Sequence, residues 1–305
     1  MNHMKTRQQI FLLIAGVAVT LVGLWVSQAG GWGRGHFYSI GIGPAGPQMA
    51  TLQALETIKR MDVILAPEDA QVKLFAEYIG DKPILFDPWK GLFDYKEKGM
   101  FQLNKEEMAE FKVERFRLRD ERVKLIKALL AQGKDVGLLD SGNPSLFAPG
   151  HFYLEAFEGE DVVIIPGMGC DAAAMAGLGK SAIPAHDARF VMQTAPFFLM
   201  DWGKDRHILM DLAKYPITMV IYMALYKPEN VLAALAEAYP PDMPCAVVYW
   251  AGYPDRERIV RGTLADLEEK LSGDKERFMG LLFVGRFLEG KPYEQAIKRG
   301  QSTRQ

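Results

Sequence analysis

The turn Gly41-Ile42-Gly43-Pro44-Ala45-Gly46-Pro47 constrains this chain more than any other stretch. It follows the apolar run Phe37-Tyr38-Ser39-Ile40 and precedes a helix-like run over 48–60. Strand, glycine turn, helix is the arrangement that places a nucleotide-type ligand at the edge of a parallel sheet. By spacing alone the turn satisfies Gly-x-Gly-x-x-Gly. Its two prolines oppose that reading. A dinucleotide loop holds pyrophosphate on free N–H groups at the helix start, and Pro44 and Pro47 have none. Pro47 instead suits a first helical position. The turn reads as one that passes close to a ligand without cradling a phosphate. The bland alternative is a tight strand-to-helix turn with no ligand at all.

Two later stretches repeat the design. Asp140-Ser141-Gly142-Asn143-Pro144-Ser145 follows the strand-like run 135–139, and Pro166-Gly167-Met168-Gly169-Cys170-Asp171 follows 162–165. From 37 to about 216 strands and helices alternate. Strands are expected at 37–42, 62–66, 83–86, 136–139 and 162–165, and helices at 47–60, 70–79, 105–132, 151–157 and 172–178. Such alternation implies a parallel, helix-covered sheet. From 217 the pattern changes. Strands at 217–223, 246–250, 258–262 and 280–287 accompany helices at 230–239 and 264–271, and the turn-like Tyr253-Pro254-Asp255-Arg256 implies an antiparallel hairpin. The expected organisation is two α/β domains with a cleft between them: a parallel-sheet domain over 36–216 and a mixed-sheet domain over 217–292, followed by a polar tail at 293–305. The aromatic and charged stretch 88–119 is longer than an ordinary connection. It reads either as a lid or as an added amphipathic helix.

A net charge of −2 over 305 residues gives no basic footprint for nucleic acid, and none is expected as a partner. Cys170 and Cys245 have neither metal nor redox spacing, and the five histidines form no zinc-like cluster, so no metal is expected. Residues 1–35 form a separate segment. The run 10–26 is uncharged and apolar, flanked by Lys5 and Arg7 before it and Trp32 after it. A bilayer needs about 17–25 apolar residues, and the run is read as a single-pass membrane anchor. Ser27-Gln28-Ala29 also offers a signal-peptidase site. A buried core helix is the poorest reading, since no polar face is present.

In order and spacing, these turns resemble those of the tetrapyrrole methylase family, over roughly 37–289. The second half resembles it too, at Ile221-Tyr222-Met223, at Tyr249-Trp250-Ala251-Gly252 and at Gly262-Thr263-Leu264. The resemblance implies methyl transfer from S-adenosyl-L-methionine to a corrinoid, porphyrinoid or related small-molecule acceptor. It implies cofactor contacts at Gly43, Pro44, Gly142, Asn143, Pro144, Cys170, Asp171, Met223, Ala251, Gly252 and Thr263. A homodimer is left open as the assembly. Two departures stand out. Asn143 replaces the aspartate of the family's Gly-Asp-Pro, keeping its size and one acceptor oxygen without the charge. Cys170 and Asp171 stand where Ser or Thr and a small residue are usual.

Acceptor-side candidates are Tyr95, Arg115, Arg117, Arg119, Asp140, His186, Asp187 and Arg189, the arginines because their planar fork suits carboxylates. Their plain reading is solvated surface. In-line methyl transfer asks chiefly for alignment, and no individual catalytic residue is assigned. Other readings stand beside this one. Lys5 and Arg7 favour a cytoplasmic N-terminus. That topology places the domain away from cytosolic S-adenosylmethionine, as a non-catalytic ligand-binding domain reusing the fold. A peptide methylase would read Gly-His-Pro where this chain has Gly142-Asn143-Pro144. A dinucleotide oxidoreductase would use Glu68 as its ribose carboxylate.

Overall fold

The computed structural model describes residues 33–67, 70–157, 161–184, 188–199 and 206–289. The apolar segment 10–26, the tail 293–305, Glu68, His186 and Asp187 lie outside the described residues. Among the described residues no helix is long and apolar enough to cross a membrane.

The first half runs β1 (Phe37–Gly41), a 3-10 turn (Pro47–Met49), α1 (Leu52–Arg60), β2 (Val63–Leu65), α2 (Ala70–Lys73) and α3 (Ala76–Ile79). A small hairpin follows, β3 (Asp94–Tyr95) and β4 (Lys98–Gly99), then the long helix α4 (Lys105–Leu130). It continues with β5 (Val136–Asp140), α5 (His151–Leu154), β6 (Val162–Ile165) and α6 (Cys170–Leu178). Strands β2, β5, β1 and β6 form one parallel sheet in that order. Both faces are covered, which is why its strands read as near-continuous apolar runs. Ile40, Ile42 and Leu139 pack under α1 with Ala54, Ile58 and Phe75. Phe37, Val136 and Leu138 pack under α4 and α5 with Ile126, Leu130 and Tyr153.

Three expected elements differ, one of them the helix over 70–79, which is split into α2 and α3. The helix anticipated over 47–60 is broken, because Thr51 accepts the Ala54 N–H at 3.0 Å and starts α1 afresh as its N-cap. The strand anticipated at 83–86 is reduced to a bridge, Ile64 with Ile84. Pro83 lends its carbonyl to the Ile64 N–H at 3.0 Å but has no N–H to extend a ladder.

The second half runs β7 (Phe190–Thr194), α7 (Pro196–Leu199), α8 (Arg206–Leu212), β8 (Ile217–Ile221), a 3-10 turn (Ala224–Tyr226) and α9 (Pro228–Ala238). Then come β9 (Pro244–Tyr249), β10 (Arg258–Thr263), α10 (Leu267–Leu271) and β11 (Gly280–Val284). They form a five-stranded mixed sheet in the order β10-β9-β11-β8-β7, in which β9–β10 is the expected antiparallel hairpin. The sequence left 190–194 without an element and began the second unit at 217. Strand β7 pairs parallel with β8 from Phe190 opposite Ile217 to Thr194 opposite Ile221, so the second sheet takes in this earlier strand. Helix α6 leaves the first sheet and packs on the second. Its Ala173, Ala174 and Leu178 join Ala246, Val248 and Phe283 in one core cluster, against which Met49 also rests.

Candidate functional site

Strands β5, β1 and β6 are adjacent and parallel, so their carboxyl ends share one edge, where ligands of such sheets lie. The three small-residue turns meet there backbone to backbone. Gly142 N–H donates to Gly43 O at 3.0 Å. A Cβ on Gly167 would stand 2.1 Å from Gly142 O, and one on Gly41 would stand 2.5 Å from Gly167 N. Only glycine permits that approach. Pro44 and Pro144 are buried in the same cluster. Gly142 is less tightly packed: at φ +79° its Cβ direction meets Cys170 N and Met168 O at 4.0 Å, ordinary van der Waals contact. The start of α1 is closed by its own Thr51, whose hydroxyl also donates to Pro166 O at 3.2 Å. That leaves no open helix end for a pyrophosphate, in agreement with the two prolines.

Asn143 turns onto its own loop, its Oδ1 accepting the Ser145 N–H at 3.0 Å. Beside it begins α6, with Cys170 and Asp171. Burial, and secondarily the Asp171 carboxylate, push the Cys170 thiol up to about 11, which fits a packed thiol and not a nucleophile. Asp171 Oδ2 accepts from Gln193 Nε2 at 3.2 Å, and Gln193 Oε1 accepts from the Tyr222 hydroxyl at 2.8 Å. Burial, then the neighbouring Asp171, raise the Tyr222 phenol above its ordinary range.

The second sheet supplies a facing edge. Strands β8 and β9 both run antiparallel to β11, and β7 runs parallel to β8, so the carboxyl ends of β7, β8 and β9 coincide. Two non-glycine residues there hold left-handed backbone, Met223 at φ 57° and Trp250 at φ 51°. Such strain at a ligand-facing edge marks a constrained site. A Cβ on Gly252 would stand 2.3 Å from Met49 Sδ and 3.4 Å from Ala45 Cβ. The β9 turn therefore meets the first glycine turn directly, and Met223, Ala251 and Gly252 gather on the side of Gly43 and Pro44. Thr263 does not. It pairs with Pro244 at the amino end of β9, about 17 Å along the strand from Tyr249. Its N–H donates to Asp266 Oδ1 at 2.7 Å, so it serves the turn into α10 at the far edge of the sheet.

Two cavities of about 290 Å³ each open beside this edge. One lies between Phe147 of the Gly142 loop and Gln193, Thr194 and Tyr222. The other lies among Phe101, Phe197, Met223, Tyr226 and Lys227. The stretch 88–119 is part hairpin and part helix. Most of its end is the start of α4, yet Phe101 reaches the second half, with its ring 4.4 Å from that of Tyr226 and its carbonyl accepting the Tyr226 hydroxyl at 2.7 Å.

The acceptor-side candidates scatter. Arg117 is engaged along its own helix by Glu114 and Glu121. Arg119 pairs with Asp120 and lies over Phe116, and Tyr95 donates to Glu110. Arg115 is half-buried over Phe152 and Phe93. Arg189 precedes β7 at the amino edge, away from the cavities. Asp140 faces Ser39 beneath the loop, not the cleft. Sequence reasoning missed Gln193, Phe147 and Trp250. Gln193 lies on a strand whose adjacent Phe190 and Val191 are both exposed, so no alternation in the sequence pointed to it.

Two α/β units present glycine turns at facing sheet edges, the arrangement in which a ligand lies in the cleft between domains. The sequence model described as Tetrapyrrole (Corrin/Porphyrin) Methylases matches residues 36–268. The cobalt-precorrin-4 C(11)-methyltransferase of Methanocaldococcus jannaschii is 30% identical over 257 residues, covering 83% of this chain and 88% of that one. The enzyme of the same name from Priestia megaterium is 26% identical, covering 83% and 88%. Among solved structures, a cobalt precorrin-4 methyltransferase superposes with a TM-score of 0.64 at 23% identity, covering 84% of this chain and 96% of that one. The uroporphyrin-III C-methyltransferase of Thermus thermophilus, complexed with S-adenosylhomocysteine, does so at 0.55 and 22%, covering 83% and 99%. The chain belongs to the tetrapyrrole methylase family. It is a methyltransferase that uses S-adenosyl-L-methionine, which sets aside the binding-domain and oxidoreductase alternatives.

Proposed function

We propose that this chain methylates a ring carbon of a corrin-type tetrapyrrole, an acceptor of the class named for its precorrin-4 relatives. The observation that carries the reading is the pair of aromatic-walled cavities, one of them lined by Leu146 and Phe147 of the loop that begins at Gly142. Gly43, Pro44, Gly142, Asn143, Pro144, Cys170, Asp171, Met223, Ala251 and Gly252 would hold the cofactor. The glycine positions fit such a group, because Gly142 at φ +79° has no atom closer than 4.0 Å to its Cβ direction and presents bare backbone at the turn. When bound, S-adenosylmethionine supplies an electrophilic methyl on sulfonium. The chain's part is orientation: closely packed turns fix one reactant, and Phe101, Phe147, Phe197 and Tyr226 offer flat apolar surface to a macrocycle. The test is methyl transfer from labelled cofactor to a precorrin-4-type acceptor, with uroporphyrinogen III in parallel. Methylation of uroporphyrinogen alone would refute the acceptor assignment.

Residues 10–26 are proposed to anchor the chain as a single-pass segment, on the strength of their uncharged apolar composition. Retention in the membrane fraction through carbonate washing tests this. A mature chain beginning at Gly30 would instead identify a cleaved signal.

A further inference from the structure

The family-like turn Gly142-Asn143-Pro144 lacks its carboxylate, and the fold removes the substitute acceptor as well. Asn143 Oδ1 is engaged by the Ser145 N–H at 3.0 Å, so its amide oxygen serves the loop. A carboxylate nevertheless stands beside the turn. The Cβ direction of Gly169 comes within 2.1 Å of Asp171 Oδ1 and 3.8 Å of Asn143 Cβ, so the two side chains flank one glycine. The second sheet orients this carboxylate. Gln193 on β7 donates to Oδ2 at 3.2 Å, and the Tyr222 hydroxyl at the end of β8 fixes the Gln193 amide at 2.8 Å. Gln193 and Tyr222 both line the cavity next to Phe147.

Helix polarity alone would favour an acid in the first turn of α6. It would not bring an amide and a phenol from two strands of another sheet onto that acid. We propose that Asp171 supplies the carboxylate that position 143 lacks, accepting hydrogen bonds from donor groups of the adenosyl cofactor, with Gln193 and Tyr222 as its positioning residues. The proposal rests on the reading that this cleft holds S-adenosylmethionine. The donors on that ligand are the ribose hydroxyls, the α-ammonium and the adenine amino group. Each is a neighbour that a carboxylate recognises and a neutral small side chain does not.

Calorimetric titration of the full chain with S-adenosylhomocysteine tests this. Asp171→Asn keeps the side-chain shape, and its unliganded thermal unfolding should match wild type. Its affinity should fall about 10–100-fold, as expected for loss of charge-assisted hydrogen bonds. Asn143→Asp combined with Asp171→Asn should recover most of that loss, because it returns the charge to the other side of Gly169. Gln193→Leu should weaken binding less, and adding it to Asp171→Asn should cost little more, since it acts through the same carboxylate. Titration with 5′-methylthioadenosine, which keeps the ribose and lacks the ammonium, narrows the choice of donor. Loss with both ligands supports contact with the adenosine half, and loss with S-adenosylhomocysteine alone supports ammonium contact. If wild type binds S-adenosylhomocysteine and Asp171→Asn binds both ligands as wild type does, the proposal is overturned. If wild type itself fails to bind it, the cofactor reading of the cleft falls first and takes the proposal with it.

Discussion

Asp140 is fully buried at the end of β5, under the loop that carries Gly142 and Asn143. Its Oδ2 has the Ser39 hydroxyl at 3.5 Å, and its Oδ1 has no hydrogen-bond partner. Desolvation dominates, and the carboxyl is raised from 3.8 to about 7 despite donation from the Gly150 N–H. The folded chain therefore keeps a proton that the unfolded chain releases from about pH 4 upward. Between these two values the native state binds more protons, so stability falls as pH rises, by up to about 1.4 kcal/mol per pH unit. The decline ends above about pH 7, with a total near 4 kcal/mol for a displacement of this size. Asp140→Asn removes the titration and keeps the shape. Urea unfolding of both proteins from pH 4.5 to 8 isolates the effect, because other titrating groups cancel in the difference. The variant should exceed wild type by about 1–2 kcal/mol near pH 5 and by progressively more toward pH 8. Between pH 5 and 7 the gap should widen by about 2–3 kcal/mol. A difference that stays constant across this range would refute the assignment of a protonated, desolvated carboxyl.

Three further outcomes follow from the geometry. Gly142→Leu places a side chain at φ +79° toward Cys170 N and Met168 O, 4.0 Å away; calorimetry should show S-adenosylhomocysteine binding abolished, while unfolding shows about 1–2 kcal/mol of backbone strain. Tyr153→Phe deletes a buried hydroxyl that donates to Pro88 O at 2.8 Å and accepts from Arg122 at 3.1 Å; urea denaturation should register a loss of about 1–2 kcal/mol. Arg117→Lys should leave acceptor turnover unchanged, since Glu114 and Glu121 already occupy that guanidinium; a raised acceptor KM would return Arg117 to the binding surface.

What could be read from the sequence was local. Glycines and prolines at 41–47, 142–144 and 166–169 encode backbone close approach, and the structure packs those turns together. The apolar runs of β1, β5 and β6 encode a sheet covered on both faces. Thr51 was legible as an N-cap, but Pro47 offered a competing helix start and concealed the break between them. Non-local information was not legible. Phe190 and Val191 are exposed on an edge strand, so β7 lacks the inward alternation that announces a strand, and only its pairing with β8 defines it. Thr263 sits in a stretch that resembles a cofactor turn, yet antiparallel register with Pro244 sends it to the opposite edge. No spacing rule connects Asp171, Gln193 and Tyr222, which three separate elements bring together.

Helix α6 explains why the two halves can serve one reaction. It begins where β6 ends, with Cys170 and Asp171 against the turn cluster, and its Ala173, Ala174 and Leu178 are buried on the second sheet. Small side chains on that face let the helix lie close to the strands, so the distance between the two sheet edges is fixed by packing and not by a linker. The Gly252 turn closes the same gap from the other side, against Met49 and Ala45. In-line methyl transfer loses rate steeply with misplacement of about 1 Å between its partners. A cofactor and an acceptor each held by residues of both halves would need that rigidity, and close-packed interfaces supply it because they resist gradual deformation. The polar chain from Asp171 through Gln193 to Tyr222 runs across this same seam. The group that would recognise the cofactor is thereby referenced to the strands that wall the acceptor cavity, so alignment of the two reactants becomes a property of one packed interface.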